Sequence, residues 1–172
     1  MTTFFEQTVE AMQQRIAANV TVIADGATVV RARTGPWQGS SLPAYVLTYG
    51  PDAPLGDLGP DNVAFIDWEF VIFVDYYDKL TVDQIDTVLQ NARANIHKAL
   101  MADVTQGLPF VMTTIPQGAD EPLLDDAVDQ KTIAYRTNWV VRLRTSIGNI
   151  DSIGRPPAVA GAFSDGFAPG FS

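Results

Sequence analysis

The sequence predicts an α+β fold: a mainly antiparallel β-sheet with two helices packed on one face, a long hairpin arm and an extended C-terminal tail. Three observations carry this expectation. Residues 63–76, VAFIDWEFVIFVDY, alternate with a period of two and are rich in aromatic and β-branched side chains, the signature of one long strand. Two stretches, about 4–18 and 81–102, repeat apolar residues at helical spacing behind capping-box residues. From residue 147 the composition turns to Gly, Pro, Ala and Ser, with no helical or strand period. The division expected is therefore a folded domain over 1–146 and a Gly/Pro-rich arm over 147–172.

The totals allow this. A chain of 172 residues, 47% hydrophobic and 18% charged, suffices for one domain with a sizeable core. The net charge of -9 argues against gripping nucleic acid by its phosphates, because that affinity comes from Lys and Arg. With no cysteine, disulfides, thiolate metal sites and cysteine nucleophiles are excluded. No apolar run reaches about 18 residues, so no membrane-spanning helix is expected. The opening MTTFFEQTVE has no basic stretch, so a secretory signal is not expected either.

The first helix starts behind Thr3, with Glu6 completing the capping box, and Phe5, Val9, Met12 and Ile16 make its apolar face. Residues 20–23 read as extended, Asp25-Gly26 as a turn, and 27–33 as a short strand. The Gly-, Ser- and Pro-rich loop 34–42 holds Trp37, which either folds back over the sheet edge or anchors a partner. A strand over 44–49 leads into 50–62, GPDAPLGDLGPDN, with three prolines, three glycines and Gly-Pro-Asp near each end. A loop of that length between two strands makes an arm, either a mobile surface loop or one that orders on a neighbour. Its candidate interface residues are Pro51, Asp52, Leu55, Leu58 and Pro60.

In the central strand Ala64, Ile66, Trp68, Phe70, Ile72 and Val74 form a wholly apolar face, expected in the core. Phe65, Asp67, Glu69, Val71, Phe73 and Asp75 form a mixed face, expected half exposed or against another chain. Thr81 and Gln84 supply the capping box of the second helix, with an apolar stripe from Val82 to Leu100 and Asp86, Gln90, Arg93 and His97 opposite it. A strand over 110–115 is expected to close at Pro116, followed by an acidic loop over 117–131 with Asp120, Glu121, Asp125, Asp126 and Asp129. In the last strand, 132–146, Ile133, Tyr135, Trp139, Val141 and Leu143 match the core face of the central strand. Pairing those two strands would set Arg136, Arg142 and Arg144 across from Asp67, Glu69 and Asp75. The tail carries Phe163, Phe167 and Phe171, aromatics that a disordered tail normally lacks, and these candidate interface residues either bind a neighbour or pack over the chain's own domain.

Nothing in the residues reads as a catalytic centre. His97 is the only histidine and sits on the polar helix face, where a solvated ring is expected. The acids of 117–131 lack the spacing of a calcium loop. Asp67 and Glu69 share a strand face as two catalytic carboxylates could, but the facing arginines make structural ion pairs the better expectation. No phosphate loop, GxSxG or dinucleotide fingerprint is present. The expectation is a protein without enzymatic activity, cofactor or metal.

The opening FFEQTVEAMQQRIAA helix, the PAYVLTYG strand, the VAFIDWEFVIFVDYY strand, the TVDQIDTVLQNARANIHKAL helix and the IAYRTNWVVRLRTS strand are carried in an order that resembles the tail-terminator proteins of long-tailed bacteriophages. The resemblance covers roughly residues 1–146 and is one of element order, with no diagnostic residues. It implies a structural virion protein in the tail or neck, assembled in the host cytoplasm: a homo-hexameric ring that caps the tail tube and joins it to the head–tail connector. Its partners would be the tail tube protein and the connector proteins, with DNA passing through without specific binding. Another connector ring of stopper or adaptor type, or a small-molecule-binding α+β domain, fits the same residues.

Overall fold

The computed structural model describes residues 3–31, 41–55, 65–125 and 130–146. In chain order its elements are α1 (Phe4–Ala17), α2 (Val20–Ala24), β1 (Thr28–Arg31), β2 (Ala44–Leu55), β3 (Phe65–Leu80), α3 (Ile85–Met101), β4 (Val111–Ala119), β5 (Leu123–Leu124) and β6 (Lys131–Ser146). The strands form one six-stranded sheet in the order β1-β2-β3-β6-β4, with β5 also pairing β6. β1 runs parallel to β2, and every other pairing is antiparallel. The fold is α+β, as the alternating and helical periods predict.

The core lies between the sheet and α1 and α3. α1 begins in the expected capping box: the Glu6 amide donates to Thr3 Oγ1 at 3.1 Å, and the Thr3 amide to Glu6 Oε2 at 3.4 Å. It buries Phe5, Val9, Met12 and Ile16. α3 buries Ile85, Leu89, Ala92, Ile96, Ala99 and Leu100. Against them stand Phe70, Ile72, Val74 and Tyr76 of β3 and Ile133, Tyr135, Trp139, Val141 and Leu143 of β6. Trp68, expected on the apolar face of the central strand, is only partly covered. Each large apolar side chain taken out of water contributes about 1.5–3 kcal/mol, so these faces dominate the fold energetically. The C-terminal ends of α1 and α3 are tied by Arg15 to Asp103 at 2.7 Å, and Asn19 Nδ2 donates to the Asn95 carbonyl at 3.4 Å. α1 leans on the β1–β2 side, where Gln13 Nε2 donates to the Val29 carbonyl at 3.1 Å. The outer side of α3 leans toward β6, with the rings of His97 and Trp139 6.0 Å apart.

The chain departs from the sequence expectation at several places. Residues 20–24 are helical, not extended, because Asn19 Oδ1 accepts from the Thr21 and Val22 amides at 3.0 and 3.4 Å. β2 does not stop at Tyr49 but continues to Leu55, through what was expected to be the start of a loop. Its register shifts between Tyr49 and Asp52, the mark of a bulge. Because β1 pairs only with Ala44–Leu47, β2 has no second neighbour beyond that point among the described residues. Pro51 and Pro54, which lack an amide hydrogen, therefore break no ladder on that side.

β3 also runs further than expected, to Leu80 opposite Lys131. A turn then occupies 82–84 and α3 starts at Ile85, so Thr81 is not its cap and Val82 is 63% exposed instead of joining the apolar stripe. β4 passes Pro116 to reach Ala119, as a strand that pairs only with β6 among the described residues can. Its register shifts between Pro116 and Gly118, whose φ of 124° suits a glycine. The two-residue β5 lies inside the expected acidic loop.

Candidate functional site

With both long helices on one face, the second face of the sheet is the candidate interaction surface. The register sets Asp67 opposite Arg144, Glu69 opposite Arg142, Val71 opposite Val140, Phe73 opposite Asn138 and Asp75 opposite Arg136. All three acid–arginine contacts form: Arg144–Asp67 at 2.6 Å, Arg142–Glu69 at 2.9 Å and Arg136–Asp75 at 2.7 Å. Between the charged ends lies an apolar middle of Val71, Phe73 and Val140, joined by Ile115 of β4 opposite Val140. Period two on β3 and β6 thus yields one banded face, with ion pairs at both ends of an apolar strip.

The strip is closely built. Asp75, Val46 and Val140 are buried on this face. The Phe73 ring lies over Gly50, where an added Cβ would come within 2.9 Å of Phe73 Cζ and 2.8 Å of Val71 Cβ. The Arg136 guanidinium stands 4.5 Å from the Phe73 ring centroid, a cation–π contact, while also holding Asp75. The Arg144 hydrogen bonds hold the Asp67 carboxyl below the usual carboxylate range, and Asp75 raises Arg136 further above its ordinary value. These carboxylates are locked to guanidinium partners, an arrangement suited to fixing a surface rather than to accepting a substrate proton.

Of the candidate interface residues, Pro51 and Leu55 lie exposed on the outer part of β2. Asp52 instead accepts from Trp68 Nε1 at 3.1 Å, which ties β2 to β3 across the bulge. Trp37, Leu58, Pro60, Phe163, Phe167 and Phe171 lie outside the described residues, as does the arm 147–172 and most of the 50–62 segment. Beside Leu55 the structure adds Phe65, 56% exposed at the start of β3. Its place on the mixed strand face, next to the arm, was the available signal.

At the opposite end of the sheet Val20, Ile23, Val82, Leu123 and Leu124 are exposed. No period marked Val20, Ile23, Leu123 and Leu124, which sit in a one-turn helix and a two-residue strand, while the helical period placed Val82 in an apolar stripe that the structure starts only at Ile85. His97 is exposed on α3. Among the described residues no group of three His, Asp or Glu could hold a metal ion, and no helix is long and apolar enough to cross a membrane. The chain matches no protein-family model and no curated protein.

Proposed function

We propose that this chain is a structural assembly protein of the phage tail-terminator kind, forming a ring that caps a tail tube and joins it to the head–tail connector. The observation that carries this reading is the banded face of β3 and β6, on which no helix packs among the described residues. A strip with an apolar middle and ion-paired ends is the composition of a protein interface, apolar at its core and polar at its rim. Two further features support it. The five segments on which the resemblance rests form α1, β2, β3, α3 and β6, and the far end of the β2–β3 ribbon presents exposed Leu55 and Phe65 beside the arm.

The test is the mass of the purified protein, alone and mixed with assembled tail tubes. The expected result is a multi-subunit ring that binds tube ends. Deleting residues 57–61, which fall in the sequence between β2 and β3 and leave the paired residues 52–55 in place, is expected to preserve the fold but prevent joining. A protein that stays monomeric and binds no tube overturns the proposal. Normal joining by the deletion variant removes the arm from it.

A further inference from the structure

We propose that the exposed face of α3 is a docking surface for residues 120–125 of a second copy of this chain. The contact deepens the ring reading above and rests on it. Gln90, Arg93, Ala94, His97 and Lys98 line a shallow depression along this face. Arg15, Arg136, Arg142 and Arg144 are neutralised in ion pairs, and Arg31 is engaged with Tyr49. Arg93 and Lys98 make no ion pair among the described residues, and with His97 they span less than two helical turns. In a chain of net charge -9 this is an unusual concentration of unpaired positive charge.

Residues 120–125, DEPLLD, have the complementary character. All six are exposed, with Leu123 at 71% and Leu124 at 46%. Asp120, Glu121 and Asp125 place carboxylates on both sides of the two leucines. The segment is held extended: β5 pairs with Ala134 and Ile133, and the Asp120 and Asp125 amides donate to the Arg136 and Thr132 carbonyls at 3.0 and 3.1 Å. It is thus presented as a preformed ligand, which lowers the ordering cost of binding.

The segment does not cover its own α3 surface. Leu123 pairs with Ala134, whereas the basic face sits by Trp139, about 17 Å along β6 at strand spacing. The acids and Leu123 therefore meet the bases of another subunit. Leu123, on the same strand face as Ala134, rests on Ala94 and the aliphatic stems of Arg93 and Lys98, while Glu121 and Asp125, two residues to either side, meet their charged heads.

The experiment is charge reversal read by sedimentation mass, with circular dichroism confirming the fold of each variant. Arg93→Glu with Lys98→Glu is expected to raise the concentration for half-assembly about tenfold or more, because like charges then face each other. Glu121→Lys with Asp125→Lys is expected to do the same. Combining all four substitutions restores opposite charges and should regain assembly. A double variant that assembles as the wild type does, or a quadruple variant that fails to recover, overturns this contact and leaves the ring reading standing. A wild-type protein that is monomeric both alone and with tail tubes overturns both.

Discussion

Arg136 grips Asp75 with two parallel hydrogen bonds, Nε to Oδ1 at 2.7 Å and Nη2 to Oδ2 at 2.9 Å. Asp75 is only 4% exposed, although it lies on the sheet face away from both long helices. A carboxylate withdrawn from water needs this fork, and the same guanidinium caps Phe73. Charge and apolar packing on this face are therefore set by one side chain.

Replacing Arg136 with Ala should cost about 3 kcal/mol, the lower end expected when one partner of a buried pair is removed. Urea unfolding checks this. A loss below about 0.5 kcal/mol, the range of ordinary surface changes, would mean that water reaches Asp75 after all.

Acid should weaken the fold through Asp67. Its carboxyl is depressed by Arg144, so its contribution is present above the unfolded-state value of about 3.9 and is lost as pH falls through the lower folded-state value. The pair is half exposed, so the effect is modest and screened by salt. The expected outcome is a drop in melting temperature below about pH 4, smaller in Asp67→Asn. Identical acid limbs for the two proteins would remove Asp67 from the account.

Gly50→Ala tests the contact of Phe73 and Val71 with the β2 backbone. The new methyl would stand 2.8 Å from Val71 Cβ and 2.9 Å from Phe73 Cζ, closer than packed carbons allow. A destabilisation of about 1–3 kcal/mol is expected, as for overpacking elsewhere. Phe73→Leu in the same background should recover part of it. Equal unfolding midpoints for Gly50→Ala and the wild type would show that Phe73 does not hold this position.

Phe70→Ala probes the opposite, helix-covered face. Phe70 is 1% exposed and its ring lies 4.5 Å from that of Phe5 on α1, so truncation leaves a cavity between sheet and helix. The expected loss is about 3–5 kcal/mol, measured by chemical denaturation.

Much of the sheet was legible because strand periodicity is strict. Once β3 and β6 are paired antiparallel with apolar faces aligned, Asp67, Glu69 and Asp75 face Arg144, Arg142 and Arg136. The boundaries were less legible at prolines, which ordinarily end strands. Pro51, Pro54 and Pro116 all lie within strands, because among the described residues β2 beyond Leu47 and β4 each pair on one side only, and a sequence does not declare which strands are edges. Thr81 and Gln84 carry a capping-box pattern that the structure leaves outside α3. The competing interaction, extension of β3 to meet Lys131, joins residues distant in the chain and leaves no local mark. The basic face of α3 was visible only as a polar helix face. That its cations lack partners is a property of the folded arrangement.

The pairing of β3 with β6 also fixes when the molecule can fold. These strands form the middle of the sheet, yet their ion-paired residues are 61 positions apart at Asp75–Arg136 and 77 apart at Asp67–Arg144. α3 and the edge strand β4 lie between them in the chain, so the centre is closed by the last described strand to leave the ribosome. Until then β3 has β2 on one side and an open edge on the other, with its aromatic face deprived of half its neighbours. Long-range closure of this kind is slow, in the millisecond-to-second range for strand-rich domains, and exposes sticky strands while it waits. A nascent chain stopped before β6 is therefore a species for chaperones to hold, and productive folding begins only once β6 has been made.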